Sequence, residues 1–445
     1  MKKLLMLCLC LALLCGAVPA QGEETELRVL TYYLNDEWVQ GFEQAHPGAR
    51  VIVDDSMSVQ DALVTGLPVD VIVTATDTSF ADMVQKGYVR PLEDQALAAR
   101  FQRLLPPLRQ ALTVSGQPYG FPSGLLLETW TLNVTPYEEV GFQDADAPAT
   151  VAAFLDQLRL WIEDLRAEHT GYFFCEGCDL PSMLRLFTRQ YVMAHENADT
   201  ALSFDTAEYR TFLSEMDGAR DLFQENQADM DAVAEGLWDK WPLMYNYNQY
   251  FGYGYNDDSL VRSLQVPALS DEASPITEGR ADVMTVSAGS AHPDLAEAFI
   301  LYCAEHAEDV QQYALYADLT EPLPNPYFDQ AAARQQENID TLTRQLETCR
   351  EEDREGLTTQ LEDARERLAR FTAESRYSIT ERDIALYASI VSHLTVPTGS
   401  LYLNGDSNCA AALDGYLERF ADGELDADRL IAEMDRTCKL AFMEK

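Results

Sequence analysis

The sequence is short of cations. Thirty-two Lys and Arg stand against 74 Asp and Glu over 445 residues, a formal charge of −42. A field of that sign repels phosphate backbones and anionic lipid surfaces, which argues against nucleic acid and acidic membranes as partners. Histidine is scarce too, with six along the whole chain. There is no Gly-x-Ser-x-Gly turn, no His-Glu-x-x-His and no phosphate-binding glycine loop. Among 74 acids any carboxylate spacing arises by chance, so a two-carboxylate glycosidase leaves no specific mark here. The expectation is a protein that is not an enzyme, with no cofactor and no metal.

What is present begins with a leader. Lys2 and Lys3 precede an uncharged apolar run from Leu4 to Leu14. The run is too short for a membrane span and suits a signal-peptide core. Val18-Pro19-Ala20 places small residues at −3 and −1 of a cleavage site, so cleavage is expected after Ala20, with 1–20 removed and the protein exported. Losing Lys2 and Lys3 takes the charge from −42 to −44. Cys8, Cys10 and Cys15 each follow a Leu, which argues against a lipid anchor.

Cys175, Cys178, Cys303, Cys349, Cys409 and Cys438 remain, and an exported chain allows disulfides among them. "FFCEGCD" holds a Cys-x-x-Cys. It reads as a local disulfide or a thiol pair at a helix start. A redox unit would need a thioredoxin-like βαβ around it, and zinc would need a second Cys or His pair.

"LRVLTYY" (27–33), "ARVIVDD" (49–55) and "PVDVIVTATD" (68–77) read as strands, with helical segments between them. This alternation predicts an α/β fold with a parallel sheet, and strands rich in Val and Ile on both faces predict helices on both sides. Ligands of such sheets sit beyond the carboxyl ends of the strands, here 34–36, 54–55 and 76–78. A strand over about Leu125–Asn133 leads straight into new helices, which suggests a crossing between lobes. "WPLMYNY", "SLQVPALSD" and "RADVMTVSAG" read as further strands, the last two returning toward the first lobe. Residues 331–375 differ. Ile339, Leu342 and Leu346, then Leu357, Leu361, Ala364 and Leu368, recur at coiled-coil spacing, and the register weakens at 351–356. One long helix or an antiparallel pair both fit, either as a solvated decoration or as a docking site. A helix follows over 378–394, with Ser378 and Glu381 as a capping box.

The densest cluster of unusual side chains is "WDKWPLMYNYNQYFGYGYNDD" (238–258), in which eight of 21 residues are aromatic. Asn246, Asn248, Asn256, Asp257 and Asp258 lie among them. Flat rings suit the C–H faces of sugars, while amides and carboxylates bond hydroxyls. Trp241, Tyr245, Tyr247 and Tyr250 are therefore candidate ligand contacts; the alternative is that these rings pack the second lobe's own core. Tyr33, Asp36 and Trp38 follow the first strand and are candidates from the first lobe, with helix capping by Asn35 or Asp36 as the structural alternative. Asp77 follows the third strand, again as a ligand contact or as a cap of the next helix.

The order of motifs resembles a family, the extracellular solute-binding proteins of ABC transporters, in the group that includes carbohydrate binders. "FEQAHPGARVIVDD", "LPVDVIVTATDTSFADMVQKGYVRPLED", "YGFPSGLLLETWTLNVTPYEEVGF", "PDLAEAFILYCAE" and "ERFADGELDADRLIAEMDR" carry the resemblance over nearly the whole mature chain, residues 331–374 excepted. Leu132-Asn133 stands where the family has Tyr-Asn, and the lipobox common in Gram-positive members is missing. The resemblance implies a two-lobed periplasmic-binding-protein-like fold (type II) with an inserted helical hairpin or long helix. Lobe I would hold 21–135 and 279–330, lobe II 136–278 and 376–445. The lobes would close around a small solute, with carbohydrate favoured over a peptide or polyamine, and deliver it to membrane permease subunits. The protein would be a monomer. The competing implication is a ligand-presenting sensor of the same fold. Under the resemblance Ser123, just after Pro122, would sit near the lobe crossing and is a further candidate ligand contact.

Overall fold

The computed structural model describes residues 24–31, 34–56, 58–66, 68–143, 147–232, 241–249, 261–350, 353–405 and 407–444; the side chains of 60, 63, 244–249, 261, 262 and 374 also lie outside the description. Its strands are β1 (Thr25–Leu30), β2 (Ala49–Asp54), β3 (Val71–Ala75), β4 (Val89–Arg90), β5 (Thr113–Val114), β6 (Gln117–Pro118), β7 (Phe121–Asn133), β8 (Cys175–Glu176), β9 (Leu243–Gln249), β10 (Val261–Leu264), β11 (Thr277–Ser287), β12 (Leu323–Pro324), β13 (Tyr377–Ile379) and β14 (Leu394–Thr395). Among the described residues, ten of them form one sheet with the central order β2-β1-β3-β11-β7-β9-β8. β1, β2 and β3 run parallel, whereas β11 and β7 enter antiparallel, so the sheet is mixed.

Helices separate β1, β2 and β3, as the alternation predicts. The first, Asp36–Ala45, starts where the Asn35 side chain accepts the Glu37 N–H at 2.8 Å. Asn35, not Asp36, is the cap. After this helix the chain turns at Gly48, whose φ of 99° is open to glycine and strained for other residues. In the strands, successive side chains part to opposite faces. Val29 and Val71 enter the main core of the first lobe, while Leu30 and Ile72 enter a smaller one on the other side of the sheet. Each such aliphatic chain contributes about 1.5–3 kcal/mol by leaving water.

Two large cores define two lobes. The first gathers Leu27, Phe42, Phe101, Phe299 and Ile300. The second gathers Trp130, Phe154, Trp161, Phe174, Phe187, Phe212 and Met434. Among the described residues, three segments cross between them. β7 buries Leu125 and Leu127 in the first core, then Trp130 and Leu132 in the second. The chain returns from Val266 and Leu269 in the second core to Ala281 and Val283 of β11 in the first. It crosses again between Val396 in the first core and Tyr402 in the second.

The third crossing moves a boundary. The expectation placed lobe II from 376 onward, but Ile390, Leu394 and Val396 belong to the first core. The helix there, Glu381–Val391, is capped by Thr380 and Asp383 in a reciprocal box rather than by Ser378 and Glu381. The insertion is an antiparallel pair, Phe328–Thr348 and Arg354–Glu374. Ile339, Leu342, Leu361 and Ala364 make its private seam. Phe328 stacks on Phe371 at its base, with ring centroids 5.5 Å apart.

Candidate ligand site at the lobe junction

The carboxyl end of β3 arrives at the junction of the lobes. Asp77 lies two residues past it, and the Asp77 carbonyl accepts the N–H of Gly405, just past the third crossing, at 3.1 Å. β11 passes beside it, with Asp282 in register with Ala75 of β3 on one side and Gly124 of β7 on the other. Period-two alternation puts Glu278, Arg280 and Asp282 on one face of β11. Arg280 reaches back to Asp77, with Nε 3.3 Å from Oδ1. Asp77 is 17% exposed and Arg280 43%.

The electrostatics follow from this placement. Withdrawal from water pushes the Asp77 carboxyl above its ordinary range, and Arg280 pulls it back part of the way. Desolvation likewise raises Asp282; Arg280 opposes this and the neighbouring Asp77 adds to it. Asp77 Oδ1 and Arg280 Nε are both shut off from water, and neither makes a hydrogen bond among the described residues. Their contact is Coulombic without donor–acceptor alignment, so one acceptor and one donor stay unused side by side. Buried polar atoms in this condition call for a partner.

The other expected residues scatter around this centre. Ser123 lies on β7, and its hydroxyl donates to the Asp282 carbonyl at 3.3 Å. Trp38 is half-buried against the first core, and its Nε1–H donates to the His306 carbonyl at 3.1 Å. Trp38 and Ser123 line a cavity of about 10 Å³ inside lobe I, room for a single water. Asp36 is exposed at the first turn of its helix. Trp241 is 8% exposed just before β9 and presents little surface. Tyr245 and Tyr247 lie on β9, where Tyr245 is in register with Trp130; their side chains, and Tyr33 and Tyr250 entirely, lie outside the described residues. Sequence reasoning missed Arg280 and Asp282. Their signal was the charge at every second position of 278–282, in a strand otherwise apolar.

Cys175 and Cys178 form a disulfide at the edge of the second lobe, with Cα atoms 5.6 Å apart. Asn226 completes that edge: its carbonyl accepts the Phe174 and Cys175 N–H groups and its amide donates to the Cys175 carbonyl. Among the described residues, no three His, Cys, Asp or Glu side chains come together as metal ligands. No described helix is long and apolar enough to cross a membrane.

No family model matches the sequence, and no curated protein matches it. Solved structures do. An ABC substrate-binding protein of Listeria monocytogenes, in complex with cycloalternan, shares 12% identity over 94% of this chain and 99% of its own, with a TM-score of 0.57. The GacH receptor of Streptomyces glaucescens, solved unliganded and with acarbose, shares 14% over 95% and 99%, with a TM-score of 0.59. The sugar-binding protein MalE of Xanthomonas citri shares 13% over 94% and 98%, with a TM-score of 0.57. The chain has the two-lobed fold of these binding proteins. At such identities the likeness speaks for the fold, and it spans both lobes and all three crossings.

Proposed function

We propose that this chain is the extracellular solute-binding component of an ABC importer, closing its lobes on a neutral, hydroxyl-rich solute, a carbohydrate. One observation carries this reading: Asp77 Oδ1 and Arg280 Nε form a 3.3 Å ion pair at the lobe junction in which neither atom makes a hydrogen bond. A hydroxyl both donates and accepts. Once the lobes part and expose the two side chains, one solute hydroxyl can donate to the Asp77 carboxylate and accept from the Arg280 guanidinium at once. A polyamine satisfies Asp77 but offers Arg280 only another cation. An anion satisfies Arg280 and meets Asp77 and Asp282. The sugar ligands named for structures of the same fold support the choice. Ligand stabilises the closed state by binding it more tightly than the open one, and permease subunits then take the solute. The leader is removed after Ala20, and the exported protein acts as a monomer.

The test is a thermal-shift panel of oligosaccharides, peptides and polyamines against the mature protein. A carbohydrate at ~100 times its dissociation constant adds about 2.7 kcal/mol to folding stability. Stabilisation by a polyamine and by no carbohydrate would overturn the reading.

A further inference from the structure

The charged face of β11 does not end at Arg280. Glu278, two residues earlier, is 8% exposed and is gripped from the second lobe by Arg189 of the helix Leu180–His195. The grip is bidentate: Arg189 Nε donates to Oε2 at 2.8 Å and Nη2 donates to Oε1. The three crossings converge here. Glu278 is in register with Thr395 of β14, Gly279 with Leu127 of β7. A Cβ at Gly279 would lie 2.5 Å from Leu394 Cδ1, so any side chain there would push Leu394 aside. Charges therefore alternate from one lobe to the other through the hinge: Arg189, Glu278, Arg280, Asp77.

That order has a consequence for Arg280. Glu278 and Arg280 share a strand face about 7 Å apart, within reach of each other's long side chains. A desolvated carboxylate takes whatever cation it can reach. While Arg189 holds Glu278, Arg280 is left to Asp77 and to solute. Without Arg189, Glu278 competes for Arg280 and draws it away. We propose that Arg189 is a positioning residue for the ligand site: by occupying Glu278 it keeps Arg280 beside Asp77. This rests on the lobe junction being where solute binds.

The experiment compares Arg189→Gln, Glu278→Gln and the double variant R189Q/E278Q in two readouts. The first is affinity for the carbohydrate that stabilises the wild type. The second is the titration of the Asp77 carboxyl by carbon NMR, assigned against Asp77→Asn, which needs no ligand. R189Q loses about tenfold or more in affinity, and its Asp77 carboxyl titrates at higher pH because Arg280 has left. The double variant, with the competitor gone, recovers most of the affinity and returns Asp77 toward its wild-type titration. A brace that only stabilises the fold would lower the melting temperature of all three variants and move Asp77 only through the lost Arg189 charge, by the same amount when R189Q is made in an Arg280→Met background. An unmoved Asp77 in R189Q, or a double variant as weak as R189Q, overturns the proposal. If the wild type binds no carbohydrate, the functional reading fails while the Asp77 titration still decides the role of Arg189.

Discussion

Two regions of this molecule are rich in charge, and they use it differently. On the helical pair Phe328–Thr348 and Arg354–Glu374, Arg334, Glu337, Asp340, Arg344, Glu362, Asp363, Arg365, Glu366, Arg367 and Arg370 all face water. The pair satisfies its apolar side internally through Ile339, Leu342, Leu361 and Ala364. Its charges are screened, so each contributes little. On β11, Glu278, Arg280 and Asp282 sit where three crossings have displaced water. Burial there raises the carboxyls of Asp282 and of Asp77 alongside, and leaves a donor and an acceptor without a hydrogen bond. The strand has three charged residues and the hairpin many more. Desolvation, not charge density, marks the site.

The contrast can be broken most directly at Arg280. Replacing it by Met should cut ligand affinity by about 30-fold or more, the loss expected for one partner of a shielded charge pair. Calorimetric titration checks this, and a change within about threefold would put the site elsewhere. The glycines offer a second comparison. Gly279→Ala forces a methyl against Leu394 and Leu125 and should lower stability by about 1 kcal/mol or more in urea unfolding. Gly356→Ala, with open space around it at the start of its helix, should instead stabilise that helix by roughly 0.5–1 kcal/mol, read as slower hydrogen exchange.

The pH dependence sharpens the comparison further. Asp282 has its folded carboxyl raised above the ordinary 3.8 by desolvation. The folded state therefore holds this proton longer than the unfolded chain does. Its contribution to stability is full below 3.8 and is lost as pH rises through the folded value. Asp282→Asn has no proton to lose, so its melting temperature should gain on the wild type between about pH 4 and pH 7. A constant difference across that range would contradict the burial of this group. The smallest effect belongs to the hairpin, where Glu366→Gln should stay within about 0.5 kcal/mol of wild type in thermal unfolding.

Much of the frame was legible because it is local. The Val- and Ile-rich strands, the Asn35 cap and the hairpin's leucine spacing are each written within a few residues. The crossing at β7 was legible from a strand that runs straight into new helices. The capping box slipped by two residues because Ser378 and Thr380 both offer the pattern, and the observed box uses Asp383 rather than Glu381. The lobe boundary slipped because nothing in 376–396 says which core Ile390 and Leu394 will join. The proposed site was half legible. Asp77 was a candidate from the rule about strand ends. Arg280 and Asp282 did not, since "RADVMTVSAG" reads first as a core strand, and Arg189 is separated from Glu278 by 89 positions in the chain. The aromatic stretch draws the eye by composition, yet its described part ends with a buried Trp241 and the β9 backbone.

The central claim is that the paired Asp77 and Arg280 bind a neutral hydroxylated solute. The most direct measurement is calorimetric titration of wild type, Asp77→Asn and Arg280→Met with neutral oligosaccharides and with a polyamine. Saturable binding of an oligosaccharide, weakened by both substitutions and with no heat from the polyamine, is the predicted result. Oligosaccharide binding untouched by either substitution, or polyamine binding that Arg280→Met strengthens, would contradict it.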